Sequence, residues 1–168
     1  MKTLLLLRHA KTSWDDATVS DDIRPLSESG KQNVYKMGEF LKNTKLIPDL
    51  IISSCAKRAR DTSTLLAESS GYNKDIDLSE SLYETTAKEY IHVISEISNK
   101  INMILLVGHN PILENLIELI TNELIVMETC SLVQIVLPIS KWIEIKTNPK
   151  CQLIKRIRIN GLTLKVSE

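Results

Sequence analysis

Glycine and proline are scarce in this chain, five of each in 168 residues. No internal repeat, low-complexity tract or linker interrupts it, so it reads as one domain over residues 1–168, long enough to bury a sizeable core. An excess of charge is also missing, since Lys plus Arg and Asp plus Glu both number 21. That balance argues against a broad basic surface for nucleic acid and against an acidic tail, while leaving room for a local basic pocket. No apolar run is long enough to span a membrane. The N-terminal leucine run is too short for a signal peptide and lacks a small-residue cleavage site. Cysteine is limited to Cys55, Cys130 and Cys151. The number is odd and the spacing is not that of a metal site, which fits free thiols in a reducing cytoplasm.

What is present begins with Leu4-Leu5-Leu6-Leu7, followed directly by Arg8-His9. A continuous apolar run of this kind reads as a buried central strand of a parallel sheet. Ligands of open α/β sheets bind just beyond the carboxyl ends of the strands, which puts Arg8 and His9 at a site mouth. Arginine brings a planar fork of donors suited to phosphate, and histidine brings a neutral nitrogen able to attack phosphorus.

Further along, Ser13 to Asp22 is polar and Asp-rich and reads as a loop. Pro25 disfavours helix at Arg24. Ser27 is then an N-cap for a helix to about Asn43, with Val34, Met37, Phe40 and Leu41 at helical spacing. Gly30 in its first turn suggests close packing there. Leu50 to Ser54 reads as a second strand. Cys55 to Thr62 opens a helix ending near Gly71. Ile76 to Leu82 reads as a third strand and Ala87 to Lys100 as a helix with Tyr90, Ile94, Ile97 and Ile101 on one face. Met103 to Val107 is a fourth strand, followed by Gly108-His109-Asn110-Pro111. Here Gly108 would let the backbone approach a ligand, Asn110 would be the N-cap and Pro111 the first helical residue. That helix carries Leu113, Leu116, Ile117 and Ile120. Leu132 to Leu137 is a fifth strand, and Gln152 to Ile159 a late strand at a sheet edge. The alternation predicts an α/β fold with a mostly parallel sheet and helices on both faces.

Three strand ends carry chemistry: Arg8-His9, Ser53-Ser54 leading to Arg58, and Gly108-His109. Helix N-termini at two of them favour anions. Two arginines and two histidines gathered there would make a phosphate pocket. His92 reads as a plain surface residue and Trp142 as a core anchor. Lys11, Lys57 and Arg60 read as rim residues, Cys55 as a packed thiol, and Trp14 as either a rim contact or a cover for its loop. A zinc site on His9 and His109 lacks a third ligand at useful spacing.

Arg8-His9-Ala10-Lys11, Arg24-Pro25-Leu26, Ser27-x-x-Gly30, Ser53-Ser54-x-x-x-Arg58-Ala59-x-x-Thr62 and Gly108-His109-Asn110-Pro111 together resemble, in order and spacing, the histidine phosphatase superfamily, with its three-layer phosphoglycerate-mutase-like fold. The Arg-His-Ala-Lys and Arg-Pro-Leu forms and the short chain are similar to its SixA-type phosphohistidine phosphatase branch. The resemblance implies a metal- and cofactor-independent hydrolase in which His9 forms a phosphohistidine intermediate. Arg8 and Arg58 would clamp the phosphoryl group, His109 would donate to it, and Arg24 would be an auxiliary contact. Many superfamily members carry a carboxylate that protonates the leaving group, and Glu84, after the third strand, is the candidate here. Larger members insert a lid between this point and the fourth strand or after Pro111. The short spacing here implies an open pocket suited to a phosphorylated side chain on another protein. The rival readings are a phosphatase or mutase for small metabolites, and a non-catalytic module that binds phosphorylated partners.

Overall fold

In the computed structural model, residues 1–14, 18, 20, 23–147, 152–160 and 163–167 are described, with backbone alone for 152–155, 159, 160 and 163–167. Most of the Ser13–Asp22 loop, Cys151 and the side chains of Leu153, Lys155 and Ile159 lie outside the described residues.

The elements are β1 (Lys2–Arg8), α1 (Glu28–Asn43), β2 (Leu50–Ser54), α2 (Lys57–Ser70), β3 (Ile76–Ser79), α3 (Ala87–Ser95), β4 (Met103–Gly108), α4 (Ile112–Thr121), β5 (Leu132–Leu137), β6 (Gln152–Asn160) and β7 (Thr163–Ser167). They form one seven-stranded sheet in the order β3-β2-β4-β1-β5-β6-β7. The neighbours β3, β2, β4 and β1 pair parallel, as short apolar strands joined by helices must. The pairings of β1 with β5, β5 with β6 and β6 with β7 are antiparallel. The late strand at Gln152 is therefore interior, and β7 takes the edge position expected for it.

Successive residues of a strand face opposite sides of the sheet, and β1 serves two cores. Leu4 and Leu6 pack with Tyr90, Ile94, Leu113, Leu116 and Trp142 on one side. Leu5 and Leu7 pack with Val34, Met37, Leu41, Ala59 and Leu66 on the other. The result is the three-layer α/β arrangement expected from the alternation of elements. Trp142 is wholly buried and His92 is exposed, as read from the sequence.

Ser27 does cap α1: its Oγ accepts from Gly30 N–H at 3.0 Å. Gly30 has no room for a side chain, because a Cβ there would stand 2.2 Å from the carbonyl oxygen of Lys11. The same carbonyl accepts from the Ser27 backbone N–H. Together with the Thr12–Leu26 bridge, this fastens the Arg24-Pro25-Leu26 segment to the chain leaving β1.

Three local expectations are corrected. The third strand stops at Ser79, and Glu80–Leu82 form a single 3-10 turn. The α3 helix stops at Ser95 rather than Lys100. Beyond it, backbone carbonyls are drawn to tertiary partners: those of Asn99 and Ile101 accept from Lys2 Nζ, and that of Ile101 also accepts from the Trp142 indole N–H. At the start of α4 Asn110 is not the cap. Pro111 holds that position without a side-chain bond, and the Asn110–Pro111 peptide is cis.

Candidate active site

The β1 and β4 strands set the site by their register. Arg8 stands opposite Gly108, and His9 N–H donates to the Gly108 carbonyl at 3.1 Å. His9 and His109 thus leave neighbouring strands at one level, their ring centroids 5.2 Å apart. Gly108 also packs against a neighbouring helix: a Cβ there would lie 2.2 Å from the hydroxyl oxygen of buried Tyr90.

His9 is partly exposed, and its Nδ1 lies 2.9 Å from the Ala10 carbonyl oxygen. A carbonyl only accepts, so this contact needs the proton on Nδ1, and in the neutral ring the lone pair is then on Nε2. The Ala10 N–H in turn donates to Thr62 Oγ1 at 3.0 Å, tying the histidine's chain to α2. His109 is 6% exposed. Burial is the main cause that pushes its imidazole down to about 3, with the charges of Arg58, His9 and Arg8 adding to it. It is therefore neutral at ordinary pH. Its Nε2 meets Ser54 Oγ at 2.8 Å, while Nδ1 is buried without a partner.

Arg58 lies in the first turn of α2, 8% exposed, with its guanidinium carbon 5.9 Å from the Tyr83 ring. Arg8 donates from Nη1 to the Met127 carbonyl at 2.8 Å, and its Nε is buried without a partner. Buried donors left unpaired are costly. Arg24 is 5% exposed, donates to the Ser13 carbonyl at 3.3 Å, and stacks 3.9 Å over the exposed Trp14 indole.

Glu84 is exposed and has a left-handed backbone, φ 46°. The ring brought against His109 is that of the preceding residue, Tyr83, edge-on at 5.7 Å. Sequence reasoning gave no role to Tyr83, and none to Ser54 beyond its place in a motif. A polar Ser53-Ser54 pair closing an apolar strand was the available signal, and both side chains are fully buried. Of the rim cations, Lys57 is held by Asp61 at 2.8 Å. Buried Cys130 has its thiol pushed up to about 12 by burial. Among the described residues no three His, Cys, Asp or Glu side chains gather to hold a metal ion. No helix among them is long and apolar enough to cross a membrane.

Residues 4–103 match the model of the histidine phosphatase superfamily, branch 1. With more than half of its length matched, the chain belongs to that superfamily. It is 32% identical over 139 residues to an uncharacterized chloroplastic protein of Arabidopsis thaliana, covering 77% of this chain and 64% of the relative. A 2,3-bisphosphoglycerate-dependent phosphoglycerate mutase of Streptomyces avermitilis is 36% identical over 69 residues, covering 39% of this chain and 27% of that one. The chain thus spans less than two thirds of the length of these curated relatives. In three dimensions it resembles a crystal structure from Agrobacterium tumefaciens assigned to the phosphohistidine phosphatase SixA, with a TM-score of 0.80, 24% identity and coverage of 94% and 98% of the two chains. A tungstate complex of the protein histidine phosphatase SixA superposes with a TM-score of 0.79 and 16% identity, over 92% and 95% of the chains. At these identities the likeness is one of fold.

Proposed function

We propose that this protein is a phosphatase that works through a phosphohistidine on His9, without a metal, on phosphohistidine carried by another protein in the cytoplasm. The observation that carries the reading is the pairing of two differently prepared histidines. His9 has its Nδ1 proton directed at Ala10 O, which leaves Nε2 as nucleophile. His109 is kept neutral beside it.

In the first step His9 Nε2 attacks phosphorus and a P–Nε2 bond forms. The bond from phosphorus to the leaving imidazole breaks, and the electron pair leaves on that ring, which is protonated. In the second step water attacks phosphorus, the P–Nε2 bond breaks, and inorganic phosphate departs. Phosphoryl transfer asks little of the protein beyond alignment and neutralisation of charge on the equatorial oxygens. Arg8 and Arg58 supply that charge through charge-assisted hydrogen bonds. With Ser54 donating to Nε2, His109 presents Nδ1–H as a further donor. Arg24 is an outer contact and Glu84 an acid at the rim, needed only for poor leaving groups.

A protein substrate is favoured over a small metabolite by two features. His9 is partly exposed. Neither the stretch from Tyr83 to β4, which holds α3, nor the start of α4 carries a lid. Phosphate release should be compared on a phosphohistidine protein, an aryl phosphate and an alkyl phosphate, each with and without chelator and beside His9→Ala. Chelator-resistant release, fastest on the phosphohistidine protein and lost in the variant, is expected. Release confined to the alkyl phosphate would point to a metabolite phosphatase instead. Tight binding of phosphoprotein without release would point to a binding module.

A further inference from the structure

One group of residues near Arg8 is absorbed by none of the roles above. Glu114, on the first turn of α4, uses a single carboxylate oxygen twice: Oε1 accepts from the Met127 backbone N–H at 2.7 Å and from Asn110 Nδ2 at 2.6 Å. The Met127 carbonyl, on the same residue, accepts from Arg8 Nη1 at 2.8 Å and from Asn110 Nδ2 at 2.9 Å. Met127 is wholly buried, so neither of its polar backbone groups has water as a fallback. The segment is fixed to the site a second time just beyond, where Cys130 N–H is shared between the Arg8 and His9 carbonyls at 3.1 Å each.

We propose that Glu114 is the positioning residue for the Arg8 phosphate clamp: it anchors the Met127 peptide, whose carbonyl holds the Arg8 guanidinium with Nε left for the phosphoryl group. The proposal rests on the assignment of Arg8 as a clamp. Its physical logic has two parts. An arginine side chain has several free torsions, and fixing one Nη by a carbonyl that cannot itself move removes most of that freedom before substrate arrives. The carboxylate also places a negative charge near a cationic site that is otherwise rich in arginine. Arg8, half-buried, has its guanidinium drawn below its usual range by desolvation, and Glu114 opposes that shift. A helix start is ordinarily a favourable place for a carboxylate. Here the side chain is turned instead to a buried peptide and a buried amide, outside its own helix.

Glutamine and alanine separate these parts. Glu114→Gln keeps an oxygen for both donors and removes the charge. Glu114→Ala leaves the Met127 N–H buried and unpaired, so the peptide that holds Arg8 keeps only the Asn110 amide as an anchor. The readouts are kcat/KM on an aryl phosphate and inhibition by tungstate, measured on the full chain at a temperature where each variant is folded by circular dichroism. Glu114→Ala should lower kcat/KM and weaken tungstate about tenfold, the size expected from stranding one buried donor. Glu114→Gln should stay within about threefold of the parent, since the hydrogen bonds persist. The decisive arm is a double-mutant cycle. In an Arg8→Lys background Glu114→Ala should cost less than about twofold more, while in an Arg58→Lys background it should keep its full tenfold effect. Equal losses in both backgrounds, or a fall in melting temperature with tungstate inhibition unchanged, would overturn the positioning role and leave the phosphatase reading intact. A parent protein that neither turns over nor binds tungstate would overturn the phosphatase reading, and this inference with it.

Discussion

Ser54 Oγ stands 2.8 Å from His109 Nε2. The contact exists because β2 lies next to β4 in register, with Ser53 opposite Val107. A residue at one strand end thereby meets a ring nitrogen of a histidine at another. Replacing Ser54 with alanine removes the partner and frees the ring to choose its tautomer. Steady-state kinetics of Ser54→Ala on an aryl phosphate should show kcat reduced about three- to tenfold, the worth of one hydrogen bond, with KM little changed. An unchanged kcat would mean that Ser54 does not orient His109.

His109 also makes a prediction about pH. Its folded value of about 3 lies below the ordinary 6.5, so the unfolded chain binds the proton more readily. Stability from this group is complete above about pH 6.5 and is lost as pH falls toward 3. Urea unfolding followed from pH 7 to pH 4 should show falling stability, with a shallower fall in His109→Asn. Ring signals of His109 in NMR should not titrate between pH 5 and 8. A midpoint inside that interval would contradict a buried, neutral His109.

As the proposed acid, Glu84 should matter according to the leaving group. Imidazole leaves well once protonated, whereas an alkoxide needs a proton supplied to it. Glu84→Gln should therefore cost less than about threefold in kcat on phosphohistidine protein and more than about a hundredfold on an alkyl phosphate, the usual scale of general-acid catalysis. Equal losses on both substrates would assign Glu84 to binding rather than to proton transfer.

Gly30 tests the fold that delivers Arg24. Its missing side chain faces a backbone carbonyl at 2.2 Å, and a peptide cannot swing aside as a flexible side chain can. Gly30→Ala should lower unfolding free energy by about 1–3 kcal/mol, as overpacking does. Denaturant unfolding measures it. A stability equal to the parent's would show that the chain after β1 yields easily at Lys11.

The parts legible in the sequence were those encoded by nearby residues. The apolar run Leu4–Leu7 specified its own burial, and Arg8-His9 and Gly108-His109 announced themselves at strand ends. Ser27 and Gly30 signalled a capped, closely packed helix start, and the structure has both. What escaped was set by partners distant along the chain. The α3 helix stops at Ser95, and the carbonyls of Asn99 and Ile101 beyond it are held by Lys2 and Trp142, partners far away in sequence. Asn110 had the residue type of a cap, yet Glu114 and the Met127 carbonyl hold its amide. Periodicity marked a strand at Gln152 but could not show that β7 would cover its edge. The Ser54–His109 contact spans 55 positions and depends on strand order, which no local pattern carries.

The most direct test of the account is to trap the phosphoenzyme. The protein should be mixed with a phosphohistidine protein or an aryl phosphate, quenched in alkali during turnover, and mapped by mass spectrometry. One phosphoryl group on His9, stable in alkali, labile in acid and absent from His9→Asn, is the predicted result. Turnover without any adduct, an adduct on another residue, or activity retained by His9→Asn would contradict it.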